Sequence, residues 1–337
     1  MARIVYVEEE VRQHPRVRRV LEDLGDPEVV TCDRYGEVFN RRDQSFRLQK
    51  RRPALILAAK HGRKVLPVPR GYGIGAPHNY YFSHLLNCPY DCRYCFLQGM
   101  YRSAHHVFFV NFEEFTTDLD EIRGRHRGEA VCFFSGYDGD SLALESITGF
   151  VDHFLDLFAE RPDAWLELRT KSGRTRELAA RDPLPNVVVA YSLSSREVAE
   201  TLEYGAPSLD RRLEALETVA EQGWPVGLRF DPLIHHDGFR EGYRRLFQRV
   251  FDRVSPDRIH SVSLGPFRVP APFFRRMERQ YPEEPLLAGP LVRREDGLVS
   301  YRTELEGELL EFCRTELLRH LSSEKLFSCV ESGERIA

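Results

Sequence analysis

The sequence places three cysteines within one short stretch. Residues 88 to 95 read CPYDCRYC, so Cys88, Cys92 and Cys95 form a C-x3-C-x2-C array. Thiolates this close together on one loop can surround a single soft metal centre, and iron–sulfur clusters and zinc both take cysteine ligands. A four-iron cluster held by only three cysteines leaves one iron open to a substrate or a cofactor. The array therefore predicts a metal centre, with an iron–sulfur cluster as the first hypothesis.

Zinc is the alternative occupant of this stretch. A structural zinc site needs a fourth ligand, and His84, His105 and His106 lie near enough in sequence to supply one. A disulfide is not expected, because the seven cysteines are an odd number and nothing in the sequence indicates secretion. The cysteines outside the array are expected to be small buried apolar side chains: Cys32, Cys132, Cys313 and Cys329.

The overall charge and hydropathy restrict the class of protein. A net charge of −4 argues against a protein that coats nucleic acid through bulk positive charge. The longest apolar run, PALILAA at residues 53–59, is far shorter than the roughly 18 residues of a membrane span. The N-terminal MARIVYVEEE meets acidic residues before the apolar core of a signal peptide could form. We therefore expect a cytoplasmic protein without a membrane segment, in a compartment that keeps the thiols reduced.

Before the cysteine array, the chain alternates between apolar strands and a helical segment. Candidate strands lie at residues 3–7, 28–32 and 53–59, with a helix within residues 10–24. This alternation predicts a small α/β unit. The glycine-rich segment RGYGIGAP at residues 70–77 lacks the strand-then-helix context of a dinucleotide-binding motif and is predicted to be a linker.

From residue 79 onward the chain repeats strand and helix. Six candidate strands occupy residues 79–83, 130–135, 164–170, 186–193, 225–230 and 260–265. Helices between them are expected at residues 143–159, 208–222 and 239–254. Six strands joined by right-handed crossovers make a parallel sheet that can curl into a partial barrel. The cysteine array follows the first of these strands, so we expect it at the C-terminal rim, where barrel active sites lie.

The last part of the chain predicts a hairpin and a helix. Asp296-Gly297 lies between two strand-like runs in residues 291–302, which indicates a hairpin with a type I′ turn. Residues 304–321 have helical periodicity, and an extra strand is expected at residues 106–112. We therefore predict an α/β fold, in which a partial (β/α)6 TIM-type barrel lies between a small N-terminal α/β unit and a C-terminal hairpin with a helix. The expected units are residues 1–75, 76–270 and 271–337.

Several motifs extend beyond the cysteine array. They are NCPYDCRYCFLQ (87–98), LRTKS (168–172), AYSLSS (190–195), EYGAPSLDRRLEALE (203–217) and GWPVGLRFDPLIHHDGFREGYRRLF (223–247). Together they resemble spore photoproduct lyase and its wider family over most of residues 78–265. That family belongs to the radical S-adenosylmethionine (SAM) enzymes, whose fold is a partial barrel.

The resemblance implies a radical reaction. In that family the open iron of a 4Fe-4S cluster chelates SAM, and an electron from the cluster breaks the sulfonium. The product is a 5′-deoxyadenosyl radical, which abstracts hydrogen from a substrate. The founding activity repairs a thymine dimer in DNA. The resemblance therefore implies a lyase-like DNA-repair enzyme that also needs an electron donor, which the sequence does not identify.

The resemblance also implies roles for individual residues. The three cysteines of the array would hold the cluster, while Tyr94, Lys171 and Ser192 match positions that contact SAM. Lys171 and Ser192 each lie at the end of a predicted barrel strand, where a cation or a hydroxyl can face the site. An ordinary surface lysine and a core hydroxyl bonded to backbone are the alternatives.

Two positions depart from the family's pattern. There, a cysteine after the second barrel strand returns a hydrogen atom to the product radical, and a tyrosine directly after the last cluster cysteine assists it. This chain has Tyr137 and Phe96 at those positions, and Cys132 lies upstream in the strand. The phenol of Tyr137 is a candidate hydrogen donor, and packing of its ring is the alternative.

The family's C-terminal hairpin approaches damaged DNA, which gives the predicted hairpin a candidate role. Arg293, Arg294 and Arg302 are candidate phosphate contacts, and protection of an exposed strand edge is the alternative. Arginine runs at residues 41–52 and 123–127 are expected to be solvated surface. Three functions remain open: a DNA-repair lyase, a radical SAM paralogue with another substrate, and a zinc-stabilised nucleic-acid-binding module without catalysis.

Overall fold

The computed structural model describes residues 4–25, 27–69 and 71–329. Two large sheets with packed helices make up most of the described chain. Among these residues, no helix is both long enough and apolar enough to cross a membrane.

The elements are numbered in chain order. The first part of the chain contains β1 (Ile4–Glu8), α1 (Pro15–Leu24), β2 (Glu28–Cys32), α2 (Phe46–Arg51), β3 (Leu55–Ala58), β4 (Val65–Pro67), β5 (His78–Phe82), β6 (Leu85–Leu86), β7 (Asp91–Cys92), α3 (Leu97–Met100) and β8 (His106–Phe109). The middle part contains α4 (Phe112–Arg125), β9 (Val131–Ser135), α5 (Glu145–Thr148), α6 (Phe150–Ala159), β10 (Ala164–Thr170), α7 (Arg176–Ala179), β11 (Val187–Ser192), α8 (Arg196–Leu202), β12 (Glu203–Tyr204), α9 (Leu209–Glu221), β13 (Val226–Leu233), α10 (Phe239–Phe251) and β14 (Ile259–Pro266). The last part contains β15 (Arg268–Pro270), α11 (Ala271–Gln280), β16 (Leu291–Arg293), β17 (Leu298–Tyr301), α12 (Thr303–Leu317) and β18 (Leu326–Ser328).

The N-terminal sheet has five strands in the order β2-β1-β3-β8-β6. Strands β2, β1, β3 and β8 run parallel, and β6 pairs antiparallel with β8. The apolar run of β3 is buried along its whole length, as expected for an interior strand of a parallel sheet. The three strands predicted before residue 60 and the extra strand after the array are confirmed. Because the extra strand pairs with β3, the sheet takes chain from both sides of residue 75, and the unit boundaries stay a prediction.

The second sheet has eight strands in the order β18-β14-β13-β11-β10-β9-β5-β4. Its six central strands are parallel and coincide with the six predicted barrel strands, so the predicted partial (β/α)6 barrel is confirmed. Strand β18 adds a parallel strand at one edge, and β4 adds an antiparallel strand at the other. Neither edge strand was predicted, because a run of three residues carries too little periodicity to indicate a strand.

Helices pack on the outer face of the barrel, and a buried ion pair lies inside it. Helix α6 packs on β10, and α9 packs on β11 and β13. Inside, Glu167 and Arg229 are both fully buried, and Arg229 Nη2 donates to Glu167 Oε2 at 2.7 Å. Arg229 also donates to the backbone oxygen and the hydroxyl of Ser261 at 3.1 and 2.9 Å. Polar contacts therefore join β10, β13 and β14 across the interior of the barrel.

The glycine-rich segment predicted as a linker also packs into the barrel. Ile74 is buried against Cys132 and Val188, near the starts of β9 and β11. Gly75 has a φ of +108°, and a Cβ there would lie 3.4 Å from the ring of Phe327 on β18. A residue with a side chain would be strained at this position, so the glycine lets the segment pass close to the barrel edge.

The predicted helices are confirmed, with differences at their ends. Helix α9 begins after Ser208, whose side chain accepts a hydrogen bond from the backbone nitrogen of Arg211. The helix predicted at residues 143–159 is divided into α5 and α6 by Gly149, whose φ of +58° is left-handed. Helix α11 was not predicted. Its sequence carries four charged residues among its ten, which obscures the apolar stripe that packs inward.

The predicted C-terminal hairpin is confirmed by the antiparallel pairing of β16 with β17, and β15 adds a third strand. The predicted type I′ turn is wrong. That turn needs a positive φ at both central residues, whereas here only Gly297 has one, +84°. The backbone nitrogen of Gly297 donates to the oxygen of Arg294 at 3.1 Å, so the connection is a longer loop that ends at Gly297.

Candidate active site at the barrel rim

The cysteine array lies on the loop that follows β5 and β6, at the C-terminal rim of the barrel. Within the loop, β7 contains Cys92 and pairs antiparallel with β12. The backbone nitrogen of Arg93 donates to the oxygen of Leu202 at 2.8 Å, and that of Cys95 donates to the oxygen of Cys92 at 3.0 Å. The loop is therefore fixed at its centre by a strand from a distant part of the chain.

The three thiols lie close enough to influence one another. Burial raises the pKa of Cys92 to about 12, and the positive charge of Lys171 opposes that shift. Burial also raises the pKa of Cys88, to which the charges of Asp140 and Cys92 add. The pKa of Cys95 is raised by burial as well. Because charge on one thiolate disfavours charge on the next, a bound cation is what would keep all three ionised.

The histidines near the array make other contacts. His84 is buried and stacks on Phe150 at 3.9 Å, and burial lowers its pKa to about 3. The Nδ1 atom of His105 accepts a hydrogen bond from the backbone nitrogen of Ala54 at 3.0 Å, and burial lowers the pKa of His106 to about 4. Across the described ranges, no three Cys, His, Asp or Glu side chains are arranged as a ready metal-binding group. Of the three histidines, His84 and His105 are thus engaged away from the array, and His106 hydrogen-bonds the backbone of Cys88 beside it.

Glu203 is the centre of a buried set of contacts behind the array. It lies on β12 opposite Cys92, and its carboxylate accepts hydrogen bonds from the hydroxyl of Tyr94 and, at 2.9 Å, from that of Ser194. The Nζ atom of Lys171 lies 4.0 Å from Glu203 Oε1 and 5.6 Å from the centre of the Tyr94 ring. Burial acts to lower the pKa of Lys171, but the Cys92 thiolate, when it forms, and the carboxylate of Glu203 outweigh burial and raise the pKa. Lys171 is thus a largely buried cation beside the array.

A second buried cation links Glu203 to the end of β11. Arg212 on α9 is fully buried, pairs with Glu203 through Nη2, and donates from Nη1 to the backbone oxygen of Ser192 at 3.1 Å. Removing Arg212 would leave Glu203 buried with only the more distant Lys171 as a cation, and removing Glu203 would leave Arg212 buried without a carboxylate partner. The structure therefore brings Tyr94 and Lys171 together at the array and joins Ser192 to them through Arg212. Sequence reasoning missed Glu203 and Arg212, because their roles depend on the pairing of β12 with β7, which no local pattern indicates.

The loop after β9 is organised by Asp140. Its carboxylate accepts hydrogen bonds from the hydroxyl of Thr170 and the backbone nitrogen of Lys171, both at 2.7 Å. It also accepts from the backbone nitrogens of Leu142 and Ala143 at 3.0 and 2.9 Å. These bonds join the ends of β9 and β10, so Asp140 fixes the backbone from which the Lys171 side chain extends.

A protein-family model described as spore photoproduct lyase matches residues 77–289, which is more than half of the chain. The chain belongs to the spore photoproduct lyase family.

Two curated relatives give the extent of the similarity. Spore photoproduct lyase of Bacillus subtilis (strain 168) is 25% identical over 202 residues, which cover 59% of this chain and 59% of that protein. The enzyme of the same name from Geobacillus sp. (strain Y412MC61) is 24% identical over 245 residues, which cover 70% of this chain and 72% of that protein. The match thus spans less than two thirds of the length of the Bacillus protein.

Solved structures of spore photoproduct lyase share the fold. A mutant with bound AdoMet and dinucleoside spore photoproduct has a TM-score of 0.83 at 19% identity, with 98% of both chains covered. The lyase complexed with dinucleoside spore photoproduct has a TM-score of 0.82 at 18% identity, again with 98% of both chains covered. The fold is therefore the partial barrel of spore photoproduct lyase, a fold of the radical SAM type, as predicted.

The two departures from the pattern of the spore photoproduct lyase family lie together at the rim. The ring of Tyr137 is centred 4.3 Å from that of Tyr81 and 5.6 Å from that of Phe96. Burial raises the pKa of Tyr137, so its phenol stays protonated. Cys132 is fully buried against Ile74, deep in the barrel and away from the rim. A hydrogen-donor role for Tyr137 stays a prediction.

The four cysteines outside the array are buried as predicted, but one of them makes a polar contact. The Sγ atom of Cys329 donates to Asp231 Oδ2 at 3.1 Å. Asp231 also accepts from Arg169 at 3.3 Å and from the hydroxyl of Ser263 at 2.9 Å. This network closes the rim of the barrel on the side of β13, β14 and β18.

The hairpin arginines have different surroundings. Arg294 pairs with Glu306 through Nη2 and donates to the backbone oxygen of Tyr301 at 3.3 Å. Arg293 and Arg302 are exposed. Phosphate contact by these three arginines stays a prediction, and for Arg294 it would require the loss of an ion pair.

Proposed function

We propose that this chain is a radical SAM enzyme that repairs a thymine lesion of the spore photoproduct type in DNA. The observation that carries the proposal is the cysteine array held on the barrel rim beside the buried cation Lys171. The chain's membership of the spore photoproduct lyase family adds support, since a solved structure from that family contains bound AdoMet and dinucleoside spore photoproduct.

The residues at the rim fit a 4Fe-4S cluster and SAM. Cys88, Cys92 and Cys95 supply three soft ligands on one loop, and no fourth thiol belongs to that loop. Lys171 supplies a cation for a carboxylate, and Tyr94 and Ser192 lie nearby in the same contact set. When bound, this pair supplies a 5′-deoxyadenosyl radical after one-electron reduction.

The chain's own residues would position and shield that chemistry. Glu203 holds Tyr94 and Lys171 in place, so the ammonium is fixed before a ligand arrives. Asp140 holds the backbone of Lys171 against the loop after β9. The rings of Tyr81, Tyr137 and Phe96 pack together beside the array, where they would exclude water from a bound base.

The test is an anaerobic assay of the whole chain. We would reconstitute it with iron and sulfide, reduce it with dithionite, and add SAM and dinucleoside spore photoproduct. We expect both 5′-deoxyadenosine and the repaired dinucleotide, measured by mass spectrometry. One zinc per chain, with no iron and neither product, would contradict the proposal and favour a zinc-stabilised nucleic-acid-binding module.

A second candidate function is a radical SAM reaction on another substrate. It is favoured by one observation: an aromatic pair, Tyr137 and Phe96, stands where the family's hydrogen relay has a cysteine and a tyrosine. In the same assay, 5′-deoxyadenosine without any repaired dinucleotide would support this candidate against DNA repair.

We further propose that Tyr137 donates a hydrogen atom to the product radical. A C–H bond forms as the phenolic O–H bond breaks, and the tyrosyl radical left behind is reduced by the external one-electron donor and takes up a proton. Replacing Tyr137 with phenylalanine keeps the ring against Tyr81 but removes the exchangeable hydrogen. We expect formation of repaired dinucleotide to fall by about a hundredfold, which corresponds to about 3 kcal/mol in the activation free energy, while 5′-deoxyadenosine formation persists. Tyr81→Phe is the matched control, because it removes a neighbouring hydroxyl from the same stack. Unchanged repair in the Tyr137→Phe variant would contradict the role.

We also propose a cytoplasmic location and an external one-electron donor. All seven cysteines are free thiols, which fits a reducing compartment. The donor's electron would be used at the barrel rim, where the cysteine array lies.

A further inference from the structure

One face of the molecule, beside the cysteine array, carries arginines without acidic partners. This arginine face consists of Arg51 at the end of α2, Arg102 just after α3, and three residues of α11: Arg275, Arg276 and Arg279. All but Arg276 are exposed, and Arg276 is partly so. None of the five forms an ion pair within 4.0 Å in the described chain, although most arginines elsewhere do. The overall charge of the protein is −4, so this positive face is a local exception.

The five residues belong to one continuous surface. Arg276 Nη1 donates to the backbone oxygens of Gly99 and Met100 at 2.5 and 2.8 Å, which fixes α11 against the end of α3. Helix α2 joins the same surface, because Arg47 pairs with Glu283 at 2.9 Å, just beyond α11. Arg51 follows Arg47 by four residues and therefore shares its side of α2.

The charges on this face repel one another. Arg275 and Arg279 are four residues apart on α11, a spacing at which like charges destabilise a helix. Burial, and then the charges of Arg102 and Arg279, lower the pKa of Arg276. Glu278 lies on the same helix but forms no ion pair with these arginines in the described chain. Binding of an anion across such an uncompensated cluster relieves the repulsion between its positive charges and is therefore favourable.

The arginine face lies next to the cysteine array at the barrel rim. Helix α11 packs against α3, which directly follows the array, and against β15 and β17 of the hairpin. A Cβ on Gly99 would lie 2.2 Å from the backbone oxygen of Phe273, so the backbones of α11 and α3 pack closely against each other. The face therefore runs from the hairpin, past the array, to α2.

We propose that the arginine face binds the phosphate backbone of double-stranded DNA and so holds the duplex against the barrel rim. This inference rests on the proposed function and extends it, because it assigns the main backbone contacts to α2, α3 and α11 and not to the hairpin alone. Guanidinium groups suit phosphate through paired donors, and phosphate contacts fix register without reading sequence.

Double-stranded DNA fits the face better than an acidic protein. A protein interface needs an apolar core within its polar rim. Among the described residues only one large exposed apolar side chain, Leu48, lies on α2, and α11 has none. A row of charges with little apolar surface matches a polyanion.

The test uses a labelled, undamaged 20-base-pair duplex and fluorescence anisotropy at several salt concentrations. The variants are Arg275→Gln with Arg279→Gln, and Arg51→Gln with Arg102→Gln. Each pair is expected to weaken binding about tenfold or more near 0.1 M salt. Each should also lower the magnitude of the salt slope by about 2, since one lost phosphate contact contributes about 0.9. The matched control is Arg127→Gln with Arg258→Gln, two exposed arginines that precede β9 and β14 at the opposite end of the barrel; the control is expected to bind as the parent chain does.

Further outcomes separate this inference from the proposed function. Duplex binding needs neither cluster nor SAM, so failure of SAM cleavage would contradict the proposed function while leaving the face unaffected. A parent chain that does not bind the duplex, or face variants that bind as tightly as the control, would overturn the inference. Polyglutamate serves as a second probe. Face variants that no longer bind polyglutamate but still bind the duplex would overturn the inference in favour of an acidic protein partner. Both face variants should unfold in urea at the same midpoint as the parent chain, which verifies that they are folded whether or not SAM is cleaved.

Discussion

A chain in which Cys88, Cys92 and Cys95 are all replaced by alanine is expected to take up no cluster iron and to form no detectable 5′-deoxyadenosine. The three thiols lie on one loop at the barrel rim, and alanine offers no ligand atom. The loop itself should stay in place, because β7 is held by its pairing with β12 and by the bond from Arg93 to Leu202. Iron and sulfide analysis after anaerobic reconstitution, followed by the 5′-deoxyadenosine assay, measures both effects.

The control removes thiols from elsewhere in the fold. Cys32 and Cys313 are both buried, and neither lies near the barrel rim loop in sequence. The Cys32→Ala, Cys313→Ala variant should bind as much iron as the parent chain and should cleave SAM. Iron uptake that survives loss of the array, or disappears with the control, would show that the array is not the metal centre.

The parts of the fold that sequence predicted well are those with strong local periodicity. The six barrel strands are apolar runs separated by helices with clear ends, such as Ser208 before α9. Each such element carries its own signal, because burial on a sheet imposes alternation or a continuous apolar run. The position of the cysteine array followed from its place after the first of these strands.

The parts that sequence missed depend on contacts between distant segments. The extra strand β8 was predicted, but its pairing with β3 joins residues about fifty positions apart. Glu203 was missed because it becomes a site residue only when β12 pairs with β7. The turn at Asp296-Gly297 was misassigned because the same dipeptide also suits a longer loop, and the hydrogen bond from Gly297 to Arg294 decides between them.

Contacts between distant segments also distinguish the buried, paired arginines of this chain from the arginines of the arginine face. Arg212 and Arg229 are fully buried, and each is paired with a glutamate from another element. The arginine face has no such partners in the described chain. Composition alone cannot distinguish these classes, because pairing is a property of the folded chain. The buried pairs therefore stabilise the fold, whereas the arginine face is left with positive charge that an anion can neutralise.

Replacing Arg229 with methionine is expected to lower the free energy of unfolding by about 3 to 5 kcal/mol, because Glu167 would remain buried without its main partner. Burial alone would raise the pKa of Glu167, but the charges of Arg229 and Arg169 outweigh it and hold the pKa below its usual value of 4.5. Arg169 would still contact Glu167 at 3.2 Å, yet it also serves Asp231. Urea unfolding of the parent and the variant at neutral pH measures the difference.

The pH dependence and a double variant distinguish a buried charge from a packing defect. Without Arg229, the pKa of Glu167 in the folded chain should rise above its unfolded value, so the folded state would bind the extra proton. The loss of stability relative to the parent chain should be complete above the raised folded pKa of Glu167. It should shrink as the pH falls through that pKa and towards the unfolded value of about 4.5.

Replacing both Glu167 and Arg229 with methionine should recover most of the loss at neutral pH, since no charge is left buried. Arg196→Met, which removes exposed pairs with Glu200 at 3.5 Å and with Asp210 at 3.3 Å, should cost less than about 1 kcal/mol. A loss for Arg229→Met that is independent of pH and is not recovered in the double variant would mean that the side chain acts through its volume and not through its charge.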